Sequence, residues 1–197
     1  TFDNFFQGEI IQAALDKHLQ IKFLSMSSID RILKLQESPV GAVYEIQKQV
    51  VVIKDRNKLI FARKNSIHRC NMIVNKTGEF DTGRYILKLS EVTKRSIRYK
   101  RDPNIEFFDM DKLPMLMTLR NWSPGDSFNP LGLDGTMKVS DFLTNIKVST
   151  LDRQNVLVLA SKNDIIWVCG RRINENYKIE KDTKKVVKAE FIEKEEK

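Results

Sequence analysis

Residues 119–153 read LRNWSPGDSFNPLGLDGTMKVSDFLTNIKVSTLDR, and after one apolar interval residues 165–179 read IIWVCGRRINENYKI. Pro124, Gly125, Pro130, Gly132 and Gly135 put three tight reversals into about a dozen residues, the density of a shaped loop and not of a linker. Beyond the last glycine the period changes. Val139, Phe142, Leu143 and Ile146 fall at i, i+3, i+4 and i+7, which predicts a short helix with one apolar stripe facing a core. The opposite face gathers Lys138, Asp141 and Asn145, with Thr136 or Ser140 as cap and Asp141 where the helix dipole favours an anion. Lys147, Arg153, Arg171 and Arg172 follow, so fixed positive charge surrounds the loop. Such a surface suits a phosphate ester.

This stretch resembles, over its whole length, the C-terminal domain of the tRNA(Ile)-lysidine synthetase family. That pattern runs as an Arg, Pro-Gly-Asp, a Pro-x-Gly-x-x-Gly loop, a basic residue, Ser-Asp-Phe, Lys-Val and later Trp-Val-x-Gly-x-Arg. Arg120, Pro124, Gly125, Asp126, Phe128, Pro130, Gly132, Gly135, Lys138, Ser140, Asp141, Phe142, Lys147, Arg153, Trp167, Gly170 and Arg172 match it. Many positions at fixed spacing make the likeness specific, in contrast to one short motif. The sequence departs from the pattern at Ser127, Met137 and Ser149.

The resemblance implies a parent enzyme that adenylates the wobble cytidine of an isoleucine tRNA with a CAU anticodon, then lets the amine of lysine displace AMP. ATP and magnesium would belong to an N-terminal catalytic domain of the same chain, with a Ser-Gly-Gly-x-Asp-Ser loop that these 197 residues do not contain. This piece is therefore expected to be inactive alone, with no catalytic residue, cofactor or metal of its own. It would bind and discriminate the acceptor end of the tRNA. Lys138, Lys147, Arg153 and Arg172 are the expected RNA contacts, with Arg120 and Arg171 next.

Outside that stretch the chain has 41% hydrophobic residues, enough for one large or two small cores. No apolar run approaches a membrane span and no leader precedes a cleavage site, so no membrane is expected and the cytoplasm is the expected compartment. Cys70 and Cys169 are too few for a disulfide framework and, with His18 and His68, lack zinc spacing. Both cysteines are expected to pack. PLGLDG lacks the Lys-Ser/Thr ending of a nucleotide-binding P-loop.

The first residue is Thr, which reads as a piece of a longer protein. Phe2, Phe5, Phe6, Ile10, Ala14 and Leu15 predict a first helix. A second follows Ser27 or Ser28 as cap, with Ile29, Ile32, Leu33 and Leu35 inward, and stops before Ser38-Pro39. From Val43 the pattern turns to strands: AVYEI, QVVVI and KLIFA, with KDRN as a hairpin turn. Further strands are predicted at Asn71–Val74, Tyr85–Val92, Lys94–Lys100 and Ile105–Phe108. The charged tail from Glu193 is expected to fray.

Charge is uneven. Residues 1–46 carry 4 basic and 6 acidic side chains, residues 47–112 carry 16 and 8, and residues 113–197 carry 14 and 12, which gives −2, +8 and +2 and sums to the net +8. The excess centres on KRSIRYKR, where strand alternation would turn Arg98 and Lys100 outward as a row of cations. Edge protection and RNA contact are equally good readings of that row; the resemblance favours RNA. Trp167, inside IIWV, reads as core, and Trp122 beside the loop as more open. Asp126 and Asp141 read as local acceptors.

The fold class is α+β. Residues 1–46 form the helical part of a middle subdomain, 47–112 a basic β-rich segment, and 113–197 a compact C-terminal module of strands with one short helix. The competing class is a protein-interaction or dimerisation module whose charged strands only solubilise, and a homodimer stays open under either reading.

Overall fold

The computed structural model describes residues 4–47, 50–63, 68–97 and 102–194. Contacts divide the chain into two units, Thr1–Ile67 with Ser149–Asp152, and His68–Val148 with Arg153–Lys197. The architecture is α+β, mostly strand with a few helices. The strands expected within 47–112 fall on both sides of that division.

In the first unit, helices α1 (Asn4–Leu19) and α2 (Met26–Leu35) accompany an antiparallel sheet of β1 (Val43–Gln47), β2 (Val50–Asp55) and β3 (Lys58–Arg63), in that order. Leu15, Ile21, Leu24, Ile29, Ile32, Leu35, Val50 and Val52 close its core. Of the stripe expected on α1 only Leu15 is buried: Phe5, Phe6, Ile10 and Ala14 are exposed, and Gly8 and half-buried Ile11 join Leu15 on the inward face. Gly8 hides this face from a hydrophobicity pattern because its contribution is a missing side chain. A Cβ there would stand 3.1 Å from Ile29 Cγ2. Gln12 closes the same face, donating to the Ile21 carbonyl at 3.0 Å and accepting from the Leu24 N–H at 2.8 Å. The cap of α2 is Ser25, earlier than expected, with its hydroxyl accepting from Ser28 N–H.

The second unit packs two antiparallel sheets face to face. The first sheet has β4 (Asn71–Asn75), β8 (Leu116–Asn121), β11 (Leu157–Ser161), β12 (Asp164–Val168) and β13 (Arg172–Ile173), in the order β13-β12-β11-β8-β4. The second has β5 (Gly78–Asp81), β6 (Tyr85–Val92), β7 (Ile105–Asp109) and β14 (Val186–Glu193), in the order β5-β6-β14-β7. Alternation turns Met117, Leu119, Leu157 and Leu159 of one sheet toward Leu87, Leu89, Phe108 and Val187 of the other, around Trp167 at 0% exposure. The outer face of β11 and β12 is covered by α3 (Val139–Asn145), whose Val139, Phe142 and Leu143 meet Val158, Ala160 and Ile165. A short ribbon of β9 (Ser127–Phe128) and β10 (Met137–Lys138) completes this unit, and a single turn, α4 (Thr150–Arg153), falls across the division, with Thr150–Asp152 counted in the first unit. No helix of the described residues is long and apolar enough to cross a membrane.

Three expectations are corrected. Lys94–Ser96 is a 3-10 turn and not the start of a strand. The cause is register: β14 begins at Val186 opposite Val92, so the ladder has no partner for residues beyond it. Lys94 instead sends its ammonium to the carbonyls of Glu180 and Lys181 at 2.6 and 2.8 Å. Arg98 and Lys100 lie outside the described residues. Strand β5, which opens at Gly78 with φ 139°, is absent from the strands predicted above. Glu193, read as the start of a frayed tail, ends β14 and accepts Arg84 at 2.8 Å, and Lys194 reaches Asp81 at 2.6 Å.

Candidate nucleic-acid interface

The loop before α3 is held from within. Arg120 leaves β8 on the face away from Met117 and Leu119, and its guanidinium forks onto Asp126 with bonds of 2.8 Å from both terminal nitrogens. Asp126 also accepts the Ser123 N–H at 2.7 Å, closing a turn that needs a left-handed Gly125 at φ 99°. Its own carbonyl accepts Val139 N–H at 2.9 Å, which sets the start of α3. Burial opposes ionisation of Asp126, but the hydrogen bonds from Arg120 and Ser123 and the Arg120 charge together hold its carboxyl below the usual range. Arg120, expected as an RNA contact, is thus held within the loop's own frame.

Lys138 occupies the N-cap position of α3 and pairs through β10 with Ser127. Neither expected cap, Thr136 or Ser140, bonds a first-turn N–H: Thr136 turns to Asn129 at 2.8 Å and Ser140 to Asp141 at 3.2 Å. The Lys138 side chain is exposed and makes no ion pair among the described residues. At the other end, Lys147 has φ 59°, Lys147 N–H donates to Thr144, and Val148 N–H reaches back to Leu143, each at 3.0 Å. This is a Schellman closure with lysine where glycine is usual. Arg153 then donates from Nε to the Val148 carbonyl at 3.0 Å, and its own carbonyl accepts the Trp122 indole N–H at 2.5 Å. Helix α3 therefore collects Lys138, Lys147 and Arg153 at its ends. Trp122 is half-buried against the outer core.

The glycine loop is tied across to the segment after β13. Glu175 N–H donates to the Asn129 carbonyl at 2.7 Å, Leu131 N–H to Ile173 at 2.9 Å, and Gly132 N–H to the Glu175 carboxylate at 3.0 Å. Glu175 also pairs with Lys178. Gly132 and Gly135 hold φ 81° and 85°. The loop is fixed, as expected, but the Gly132 amide is already engaged.

Arg171 and Arg172 belong to a different feature. They line an open cleft of about 680 Å³ at the paired edges of the two sheets, with Ile105, Glu106 and Phe107 of β7, Leu131, Ile173 and Lys178. Arg172 is exposed. Glu106 shares a face of β7 with core residue Phe108, because i and i+2 point the same way in a strand. Burial pushes its carboxyl up to about 7, against the Arg172 charge and a hydrogen bond from Phe107 N–H. Sequence reasoning passed over Glu106: its burial in the cleft depends on Leu131, Arg172 and Ile173, distant in the chain. Among the described residues no three His, Cys, Asp or Glu stand together as metal ligands. Cys169 is buried, its thiol pushed up by burial, and Cys70 donates to the Leu119 carbonyl at 3.3 Å.

Comparison with known proteins fits this geometry. Residues 117–189 match the family model of the TilS substrate C-terminal domain. The chain is 25% identical over 178 residues to a tRNA(Ile)-lysidine synthase of Caldanaerobacter subterraneus, covering 85% of this chain and 37% of that protein. It is 31% identical over 143 residues to a tRNA(Ile)-lysidine synthase of Clostridium acetobutylicum, covering 73% of this chain and 28% of that one. The chain thus spans about a third of the length of these curated relatives. A crystal structure of a TilS C-terminal domain aligns with a TM-score of 0.55 at 12% identity, covering 64% of this chain and 99% of that one. At that identity the fold is what they share.

Proposed function

We propose that this chain, whose residues 117–189 match the TilS substrate C-terminal domain, holds a transfer RNA for a tRNA(Ile)-lysidine synthase. The second unit binds the acceptor end, so that an isoleucine tRNA with a CAU anticodon is presented to a catalytic domain and the similar methionine tRNA is not. ATP, magnesium and lysine act at that catalytic domain. The 197 residues contain no Ser-Gly-Gly-x-Asp-Ser loop, so this chain alone turns over neither ATP nor lysine.

The observation that carries the reading is the domain match over residues 117–189, supported by cations fixed at their roots, of which Lys138, Lys147 and Arg172 are exposed and Arg153 half-buried. Lys138 stands on the ribbon that opens α3, Lys147 and Arg153 on the closure that ends it, and Arg172 on β13. A cation on a rigid root senses the shape of an RNA helix, whereas a mobile one senses only charge.

The test is affinity of the full-length synthase for both tRNAs across a salt series. Counterion release predicts a steep fall with salt. Lys138→Ala or Arg172→Ala weakens binding of the cognate tRNA by roughly 1–3 kcal/mol, and more than that of methionine tRNA, with an unchanged melting temperature. Equal losses for both tRNAs make the unit a nonspecific clamp. No affinity at any salt would leave an interaction or dimerisation module as the better account.

A further inference from the structure

An outer strand of a sheet carries unpaired backbone, and proteins guard such edges with charge. In the three larger sheets the outer strands β1, β3, β5, β7 and β13 each hold a charged residue: Glu45, Lys58, Glu79, Glu106 and Arg172. Strand β4, Asn71-Met72-Ile73-Val74-Asn75, holds none. Its outward face is also apolar. Ile73 is 70% exposed, and beside it Leu116, opposite Asn75, and Met115 are 62% and 75% exposed. Helix α3 covers this sheet over β11 and β12 and leaves that corner bare.

The phase of the ladder tells which backbone groups are open. Asn121 N–H donates to the Cys70 carbonyl, so Met72 and Val74 turn their N–H and C=O toward β8, and Asn71, Ile73 and Asn75 turn theirs to the outer side. No other strand among the described residues pairs there.

We propose that β4 is an interface between two copies of this chain, paired antiparallel about a two-fold axis at Ile73, so that two five-stranded sheets run on as one. A second copy fits because the strand is complementary to itself, as an isologous contact requires. The axis sets Asn71 against Asn75 of the partner subunit, Met72 against Val74 of the partner subunit, and Ile73 against Ile73 of the partner subunit. All the open backbone positions then fall in hydrogen-bonded pairs. Amide meets amide at both ends, each with a donor and an acceptor, and apolar meets apolar between them. Like charges stay apart: Arg69 would stand opposite Thr77 of the partner subunit, and Lys76 donates inward to the Met110 carbonyl at 2.9 Å. Strand β13 is the opposite edge of the same sheet, so this pairing leaves Arg172 open. The inference is independent of the tRNA reading. A ladder of five residues is short beside the roughly 1,200–2,000 Å² of a stable interface, which puts the association on the order of micromolar.

The experiment takes the 197-residue chain and the full-length synthase through sedimentation equilibrium from about 1 to about 200 µM, the range a small interface needs. The mass of both should rise toward twice the monomer. Ile73→Lys sets two ammonium groups together on the axis and should weaken association more than about a hundredfold. Phe23→Lys, which removes a comparably exposed apolar residue from the first unit, should leave association unchanged. Oxidation with diamide tests the register. Ile73→Cys should cross-link to its own copy, since paired Cα atoms lie about 5.5 Å apart, within disulfide reach. Asn71→Cys, set against position 75 and so about 13 Å from its own copy, should not, and neither should the parent through Cys70. A parent chain that stays monomeric at the highest concentration overturns the interface, as does a dimer that survives Ile73→Lys. Cross-linking through Asn71→Cys in preference to Ile73→Cys overturns the axis. Association of the chain but not of the full-length synthase shows that the rest of the synthase covers β4 and overturns the second copy as its occupant.

Discussion

The guanidinium of Arg120 lies fork-to-fork on the carboxylate of Asp126, two bonds of 2.8 Å between side chains only 22% and 11% exposed. A planar bidentate pair shielded to this degree carries more than a surface ion pair. Arg120→Ala should cost about 2 kcal/mol of stability in urea denaturation, and the double change with Asp126→Ala should fall short of additivity by more than about 1 kcal/mol. Additive losses would show that the two side chains act independently.

The same pair sets an acid limit. Asp126 is held below its unfolded value, so its contribution is present above the ordinary carboxylate range and is lost as pH falls through the depressed folded value. Asp126→Asn should flatten the acid limb of the stability curve, measured as melting temperature from pH 6 downward. An identical acid limb in the two proteins would place the sensitivity elsewhere.

Glu106 acts in the opposite sense. Its folded value, about 7, stands above the unfolded one, so the folded state holds the extra proton and stability falls as pH rises from about 4.5 to about 7. Glu106→Gln should therefore be more stable than the parent at pH 8, by at most about 3 kcal/mol, and no more stable near pH 4. A difference that does not change with pH would mean that Glu106 is solvated in the folded chain.

Lys147 pays for a left-handed backbone at φ 59° that glycine adopts freely. Lys147→Gly should raise stability by roughly 0.5–1 kcal/mol, and Lys147→Ala should not. Comparing tRNA affinity of the two variants separates loss of the cation, which they share, from relief of the backbone.

Glu175 anchors the glycine loop through Gly132. Glu175→Ala should speed amide exchange at Gly132 and its neighbours while leaving protection in β11 and β12 unchanged. Unchanged exchange at Gly132 would show that the ties from Asn129 and Leu131 suffice.

Local patterns were legible where one face is apolar and the element is its own witness. The stripe of Val139, Phe142 and Leu143 located α3, and alternation located β2, β3, β6 and β7 within a residue or two. Ile146 broke the pattern: at the C-cap it is 42% exposed. What failed depended on distant residues. Gly8 marks the inward face of α1 only because Ile29 approaches it, and Lys94 leaves the ladder because β14 starts at Val186. The candidate site divided in the same way. Lys138 and Arg172, both named from the sequence, are exposed, whereas Arg120 is engaged by an aspartate six residues on, and Glu106 gave no signal in its own neighbourhood.

Strand β14 lies between β6 and β7, which are near neighbours in the chain but do not pair with each other. On the ribosome, β6 and β7 emerge long before the strand that joins them. Until Val186–Glu193 is released, both keep unpaired backbone toward the gap and Leu87, Leu89 and Phe108 lack the surface of Val187 and Ala189 that completes their core. The second unit must then close in one late, non-local step, slow by the measure of contact order and open to wrong pairing meanwhile. Its vulnerable period is its synthesis, and a nascent chain stalled just short of Val186 should be the form that chaperones hold and proteases cut.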